Sequence, residues 1–235
     1  MSLGFRVFLA TFLILTLSLS ATSQNLPPVP LNKHVTVTGN SIAHFQANFG
    51  RQEFPAFPPP NVYIWGQDSM MCSGILPLIL YLVPARTDVL VLIDSTNDIE
   101  HSVPISQHMS CMAQTITTLL GRNPALKIVV ANTPPWTQYD PCSGTYRDHS
   151  IVQMIEAYNA AYADPATGLQ AQWPNNVRVA DVFTPSADQN GWAIPQYMSG
   201  PCGIHPGQEF QWSPSWQHFA DGYLPLVTTA AMGRW

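Results

Sequence analysis

Four residues that together suit acyl transfer stand at widely separated positions in the chain. The serine is Ser41, which follows a glycine-bearing turn, and the histidine is His205, which precedes Pro206. A serine hydroxyl can attack a carbonyl carbon when a neutral imidazole takes its proton. The backbone N–H groups of Ser41 and Gly66 and the side-chain amide of Asn97 can donate hydrogen bonds to the oxyanion that forms. This set predicts a nucleophile, a base and an oxyanion hole.

A sheet of parallel strands would bring these residues together. Short apolar runs predict five strands, at residues 35–38, 62–65, 88–93, 127–131 and 177–180. The run at 88–93 is almost entirely apolar, which is typical of a parallel strand covered by helices on both faces. In such sheets the working residues lie beyond the carboxyl ends of the strands. The pattern therefore predicts an α/β domain with its site at that edge.

Helical spacing separates the predicted strands. The predicted helices are residues 69–82, 105–120, 149–162 and 213–232. Pro77 interrupts the first helix, and Pro214 and Pro225 limit the last one, because proline removes a backbone donor and crowds the preceding turn. Gly121 is expected to end the second helix as a C-cap.

Four motifs occur in a fixed order, the first three at the ends of predicted strands and the last near the C-terminus outside any strand. They are Gly39-Asn40-Ser41-Ile42, Gly66, Ser95-Thr96-Asn97-Asp98 and Cys202-Gly203-Ile204-His205-Pro206. Together they resemble the blocks of the SGNH, or GDSL-type, ester hydrolases, which read GDSI, a glycine, G-x-N-D and D-x-x-H-P. The resemblance extends from about Val35 to the C-terminus.

The resemblance implies both a fold and an activity. The fold would be a flavodoxin-like three-layer α/β/α sandwich with about five parallel strands. Ser41 would be the nucleophile, His205 the base, and Ser41, Gly66 and Asn97 the oxyanion hole. No metal or organic cofactor would be needed. The partner would be a small-molecule or saccharide ester, with acetyl and lipid esters equally compatible.

Three positions depart from the SGNH pattern. Asn40 replaces the Asp before the nucleophile, Ser95 replaces the Gly of G-x-N-D, and Cys202 replaces the Asp that orients the imidazole. Three interpretations of Cys202 are open. A disulfide with Cys142 could fix the loop while a backbone carbonyl or a water orients His205. A free Cys202 thiolate could replace the carboxylate, or the site could bind without turnover.

The cysteines themselves point to disulfides. The four, Cys72, Cys111, Cys142 and Cys202, form no C-x-x-C pair, and the chain has no H-E-x-x-H motif. An even count in a secreted chain favours two disulfides over metal ligands, although sequence alone allows three pairings. Pairing Cys142 with Cys202 leaves Cys72 to pair with Cys111. We expect two disulfides and no metal site.

The first 23 residues have the layout of a secretory signal peptide. Arg6 precedes an apolar run at residues 7–19, and small residues follow at 20–23. The run is shorter than the roughly 20 residues that a bilayer-spanning helix needs. We expect cleavage near Ser23, a single domain over residues 24–235, a secreted or periplasmic location, and no membrane span after cleavage.

Composition excludes other classes of protein. Charged residues make up 10% of the chain, the formal net charge is −5, and only nine residues are Lys or Arg. Nucleic-acid binding needs clustered cations, so that class is excluded. Hydrophobic residues make up 46% of the chain, which excludes disorder for its bulk. We expect a monomer.

Single residues also have interpretations without catalysis. Ser41 could cap the helix that follows it, and Asp98 could cap the helix after the third strand.

Glu209 or Asp221 could reach the His205 ring in place of the missing acid. Aromatic residues could line the substrate pocket; the candidates are Trp65 and Trp136.

Three functions are compatible with these residues. The first is a secreted serine hydrolase of carboxylic esters that works through a Ser41 acyl-enzyme with His205 as base. The alternative is a non-catalytic extracellular binding protein on a degenerate SGNH fold. The third is an acyltransferase in which a sugar hydroxyl replaces water.

Overall fold

Five parallel strands form the central sheet of the molecule. The structure, a computed structural model, describes residues 33–47, 50–208 and 211–235. The sheet has the order β2-β1-β3-β4-β7. Its strands are β1 (Val35–Gly39), β2 (Val62–Gly66), β3 (Val89–Ile93), β4 (Lys127–Ala131) and β7 (Val177–Ala180). Two short antiparallel strands, β5 (Tyr139–Asp140) and β6 (Thr145–Tyr146), form a separate hairpin.

Helices follow the strands and cover both faces of the sheet. They are α1 (Ser41–Gln46), α2 (Cys72–Ile75), α3 (Ile79–Leu82), α4 (Thr96–Glu100), α5 (Ile105–Arg122), α6 (Ser150–Ala163), α7 (Leu169–Gln172), α8 (Pro214–Asp221) and α9 (Leu224–Ala231). Single turns of 3₁₀ helix occur at Gly50–Glu53, Pro59–Asn61, Leu76–Leu78, Thr184–Ser186 and Pro201–Gly203.

Strand β3 is apolar throughout because both of its faces are buried. Val89, Val91 and Ile93 belong to a core shared with α1, α8 and α9, while Leu90 and Leu92 belong to a core shared with α5. All five side chains are at most 2% exposed. Burying a side chain of this size contributes about 1.5–3 kcal/mol, so both helical layers are held to the strand by its alternating side chains.

A third, smaller core lies beneath the loop that carries His205. It contains Ile99 of α4, Trp136, Ile155 and Tyr158 of α6, and Ile204. Since Ile204 directly precedes His205, its burial anchors the imidazole to the body of the domain.

The five predicted strands and the α/β/α sandwich are confirmed. Three helix predictions are wrong in detail. Residues 69–82 form α2 and α3, separated by a 3₁₀ turn that contains Pro77, instead of one helix. Residues 213–232 form α8 and α9, with Pro225 in the first turn of α9, where proline is tolerated. Gly121 lies inside α5, which ends at Arg122.

The predicted signal peptide lies outside the described residues, as does the domain boundary at residue 24. Within the described part of the chain, no helix has both the length and the hydropathy to cross a membrane.

Candidate active site

Ser41 lies at the sharp turn between β1 and α1. Gly39 has φ 148°, and a Cβ there would lie 1.7 Å from the carbonyl oxygen of Ile93, so the turn requires glycine. Asn40 donates its N–H to that same oxygen at 2.9 Å, and its Oδ1 accepts from the N–H of Ile42 at 3.0 Å. Asn40 is therefore the N-cap of α1, and the interpretation of Ser41 as the cap is wrong. The Ser41 hydroxyl is left to interact with His205.

The His205 ring bridges Ser41 and a backbone carbonyl. Its Nε2 lies 2.9 Å from the Ser41 Oγ, and its Nδ1 lies 3.1 Å from the carbonyl oxygen of Pro201. A carbonyl oxygen can only accept, so Nδ1 carries the proton and Nε2 keeps a free lone pair. The Ser41 hydroxyl then donates to Nε2, which is the arrangement that a general base requires.

Burial keeps the imidazole in its neutral form. His205 is 6% exposed and stacks on Phe45, with ring centroids 4.4 Å apart. Desolvation lowers the pKa of His205 below its ordinary value of 6.5, while the hydrogen bond to Pro201 and the negative charge of Asp68 oppose that shift. A neutral imidazole at neutral pH can take the Ser41 proton.

The loop that carries His205 is tied to the β5–β6 hairpin. Cys142, between the two hairpin strands, forms a disulfide with Cys202, and Cys72 forms the other with Cys111. No cysteine among the described residues is free, so the interpretation of Cys202 as a thiolate is wrong. The first interpretation agrees with the structure, because the disulfide holds the loop while the Pro201 carbonyl contacts His205.

Gly66 ends β2 beside the nucleophile. A Cβ there would lie 2.4 Å from the His44 nitrogen and 2.5 Å from the Asn40 oxygen, so only glycine fits. The next N–H, that of Gln67, donates to Gly39 of β1. Because successive N–H groups of a strand point in opposite directions, the Gly66 N–H points away from β1 and is not used in that pairing.

Asn97 lies in the first turn of α4. Its Nδ2 donates to the carbonyl oxygen of Met70 at 2.8 Å. An amide nitrogen has two hydrogens, so this bond orients the group and leaves one hydrogen for a ligand. The N–H of Ser41, as an early helix N–H, has no partner within α1. The assignment of these three groups as an oxyanion hole stays a prediction.

Known structures have the same architecture, although the sequence matches no family model and no curated protein. A Bacteroides fragilis protein assigned as an acylhydrolase matches with a TM-score of 0.66 and 17% identity, over 88% of this chain and 92% of that one. A GDSL-like lipase from Bacteroides thetaiotaomicron matches with a TM-score of 0.61 and 16% identity, over 86% of this chain and 91% of that one. A family 3 carbohydrate esterase from Talaromyces cellulolyticus matches with a TM-score of 0.57 and 15% identity, over 86% of this chain and 99% of that one. The chain has the SGNH-hydrolase fold.

Ser95 occupies a backbone position that explains the glycine usual in the third SGNH motif. Its φ is 137°, a conformation in which a side chain is strained. The Ser95 hydroxyl pairs with that of Thr133 at 2.6 Å, which offsets part of the strain. Serine in place of glycine therefore raises the free-energy cost of the turn, while the backbone keeps a conformation that suits glycine.

Asp98 of the same SGNH motif lies inside α4 and does not cap it. Its Oδ2 accepts from the N–H of Cys72 at 2.8 Å, and its Oδ1 lies 3.1 Å from Nδ1 of His108. The carboxylate therefore joins α2 and α5 to the helix that carries Asn97. The prediction that Asp98 is an N-cap is wrong, because a buried partner on each side holds the side chain inside the fold.

Other candidates are placed elsewhere or lie outside the described residues. Glu209 is among the latter. Asp221 accepts from Gln217 on the exposed side of α8. Trp136 is 3% exposed within the third core, so burial contradicts a pocket-lining role for it, whereas Trp65 is 38% exposed beside Gly66.

Only one cluster in the described part of the chain has the spacing of metal ligands. It consists of Asp140, Cys142 and Cys202. Both sulfur atoms belong to the disulfide, so neither is a thiolate that could bind a metal.

The sequence indicated a backbone carbonyl or a water beside His205 without identifying Pro201, and it gave no indication of Phe45 or Asp68. It also gave no indication of Arg147, which contacts the His205 loop at the Cys202 carbonyl. Asp68 follows Gly66 closely in the chain, so its place near the site could have been inferred. The Pro201 carbonyl gives no signal in residue type, because every residue has one.

Proposed function

We propose that this protein is a serine hydrolase that cleaves carboxylic esters, with Ser41 as nucleophile and His205 as general base. The observation that carries the proposal is the 2.9 Å contact between the Ser41 Oγ and Nε2 of His205. The Nδ1 contact with Pro201 supports it, because it selects the tautomer that can accept the serine proton.

The reaction would proceed in two halves. Ser41 Oγ attacks the ester carbonyl carbon as its proton moves to Nε2 of His205. The oxyanion accepts hydrogen bonds from the N–H groups of Ser41 and Gly66 and from Nδ2 of Asn97. The imidazolium then protonates the leaving alkoxide, and the acyl-enzyme remains. Water attacks the acyl-enzyme with His205 again as base, and the carboxylic acid and free Ser41 are released.

A neutral carbonyl replaces the carboxylate of a complete triad. The Pro201 oxygen holds the ring in place, but it stabilises the imidazolium less than a full negative charge would. Burial of His205 favours the neutral base for the first proton transfer. We therefore infer slower turnover than a complete triad would give, with the oxyanion hole retaining much of the rate.

The test is ester hydrolysis by purified protein, with acetyl and long-chain esters of simple alcohols and of saccharides as substrates. We expect hydrolysis of at least one class, and a loss of at least about 10³-fold in Ser41→Ala and in His205→Ala. Ser110→Ala, which changes an exposed serine of α5, is the matched control and should keep full activity. No hydrolysis by folded wild-type protein would contradict the proposal.

A second candidate function is a binding protein that has lost catalysis. The observation that favours it is Cys202, which takes the place of the acid and is locked in a disulfide. Binding of an ester without its turnover, equal in wild type and Ser41→Ala, would support this candidate. Product analysis with a sugar acceptor present would separate hydrolysis from acyl transfer to a hydroxyl.

We further propose that the protein acts outside the cytoplasm. Two disulfides among the described residues support this, since such bonds persist in oxidising compartments. Detection of the protein in the culture medium or periplasm, with its N-terminus near Ser23, would test the proposal; retention of the full chain in the cytoplasm would contradict it.

A further inference from the structure

The backbone around Cys202 is held both by hydrogen bonds within the His205 loop and by contacts from outside it. Cys202 has φ 55° and ψ 9°, a left-handed conformation that costs free energy for any residue with a side chain. With Cys202 in this conformation, the carbonyl oxygen of Pro201 accepts a hydrogen bond from His205. The next carbonyl oxygen, that of Cys202, accepts one from Arg147. A relaxed backbone at Cys202 would turn the Pro201 oxygen away from the imidazole.

Arg147 supplies one of the contacts from outside the loop. It directly follows β6, and its Nη2 donates to the Cys202 carbonyl oxygen at 2.6 Å. Its Nη1 donates to the carbonyl oxygen of Thr137 at 2.8 Å, and Nη2 also lies 3.3 Å from the Asp140 carboxylate. The guanidinium further lies over the Trp136 ring, 5.5 Å from its centroid.

The hydrogen bonds of Arg147 go to two different parts of the fold. Thr137 and Asp140 belong to the hairpin and its approach, and they fix the guanidinium in place. Cys202 belongs to the His205 loop and receives the remaining donor. The side chain is 11% exposed, so these bonds are largely shielded from water. A planar, permanently charged fork suits this bridge better than an ammonium group does, because it can bind two carbonyls in fixed directions.

We propose that Arg147 is a positioning residue for catalysis: by binding the Cys202 carbonyl it holds the Pro201 carbonyl against Nδ1 of His205, and so replaces the orienting part of the missing triad acid. This inference rests on the proposed function, because it assigns the support of that same site. Arg147 contacts neither the substrate nor the reacting atoms, and it acts through the loop.

The test compares Arg147→Met with Arg178→Met. Arg178 is a matched control: it donates to the backbone carbonyls of Pro174 and Val177 and lies over the Trp235 ring, away from the His205 loop. Both variants lose carbonyl and ring contacts. We expect Arg147→Met to lower kcat about 10²-fold with little change in KM, and Arg178→Met to keep both. Arg147→Lys, which keeps one charged donor, should recover part of the kcat.

The pH profile gives a readout that a purely structural role would not move. The hydrogen bond that His205 donates to the Pro201 carbonyl raises the pKa of His205, against the burial that lowers it, and Asp68 is the charged group that acts on the ring. When Arg147→Met loosens this bond, the acid limb of kcat/KM should move to lower pH. An unchanged kcat, or a fall in kcat that only follows the unfolded fraction with the acid limb unmoved, would overturn the proposal.

The tautomer of His205 tests the inference without any catalysis. In protein with ¹⁵N-labelled histidine, wild type should show the neutral ring protonated on Nδ1, and Arg147→Met should show a mixture with the Nε2-protonated form. Identical tautomers in the two proteins would overturn the role of Arg147 whether or not the protein hydrolyses esters. Failure of wild type to hydrolyse any ester, with the expected tautomer change, would overturn only the proposed function.

Discussion

At His205 a neutral oxygen does the orienting work that a carboxylate does in a complete triad. The Pro201 carbonyl fixes the tautomer at 3.1 Å from Nδ1, while Phe45 covers the face of the ring. Orientation and charge stabilisation, which one Asp usually provides together, are thus separated at this site. The nearest negative charge that acts on the ring is that of Asp68, which is exposed.

The first prediction is a shifted acid limb. Since burial lowers the pKa of His205 below 6.5, the neutral base persists at lower pH, and kcat/KM should fall with a midpoint below 6.5. Asp68→Asn removes a charge that favours the imidazolium, so its midpoint should lie lower still. Asp148→Asn, at an exposed position on the hairpin side, should leave the midpoint in place. A wild-type midpoint above 6.5, or a rise in Asp68→Asn, would contradict this account.

At this scale the sequence predicted the residues whose side chains are chemically distinctive. Residue type and a place after a strand indicated Ser41, Gly66 and Asn97 as candidates. Residue type and the motif around it indicated His205, which lies outside any strand. A backbone carbonyl was among the partners proposed for His205, but the sequence could not identify Pro201, because the direction of its carbonyl depends on the left-handed conformation of Cys202. That conformation depends in turn on contacts with a hairpin more than 50 residues away in the chain.

At the scale of elements, the β5–β6 hairpin is the part of the fold that supports the His205 loop. It is joined to that loop by the Cys142–Cys202 disulfide and by Arg147. The other disulfide joins α2 to α5. The two bonds therefore support different parts of the fold.

The second prediction compares the two disulfides. The double variants Cys142→Ala/Cys202→Ala and Cys72→Ala/Cys111→Ala should each lose about 2–4 kcal/mol of unfolding free energy, because each loses a long-range cross-link. Only the first should lose kcat beyond its loss of folded protein, since only that bond holds the residue next to Pro201. Denaturant unfolding and initial rates on the same samples measure both quantities. Equal losses of kcat per folded molecule in the two variants would contradict this division.

Sequence patterns predicted strands better than helices in this chain. Strand β3 is apolar on both faces, and that signal is strong even over five residues. Helix ends depended on local packing: α5 continues through Gly121, and Pro77 lies in a 3₁₀ turn that joins two short helices. The hairpin was not predicted, since two residues per strand leave no periodic pattern.

At the scale of the whole molecule, a buried carboxyl group affects stability away from the active site. Glu53 is fully buried and contacts Gln46 and Tyr223. Desolvation raises its pKa well above 4.5, despite the hydrogen bond from Tyr223. The folded protein therefore keeps Glu53 protonated at pH values where the unfolded chain ionises. Its favourable contribution is complete below pH 4.5 and is lost as the pH rises through the folded-state pKa.

The third prediction follows from the raised pKa of Glu53. Glu53→Gln cannot ionise and keeps acceptors and donors for Gln46 and Tyr223, so its melting temperature relative to wild type should rise as the pH increases from 4.5 to mildly alkaline values. Glu156→Gln, at an exposed position, should show no such trend. Thermal unfolding across this pH range measures the difference. A constant or falling difference for Glu53→Gln would show that Glu53 is ionised in the folded protein.

We propose that Ser41 is activated in this SGNH fold without the usual acid. Labelling of folded protein with a fluorophosphonate probe tests this proposal. Peptide mass spectrometry without reduction then locates the adduct and also reports the cysteine pairing. We expect one adduct per molecule on Ser41 in wild type and none in His205→Ala. No adduct on folded wild-type protein, or equal labelling in His205→Ala, would contradict it.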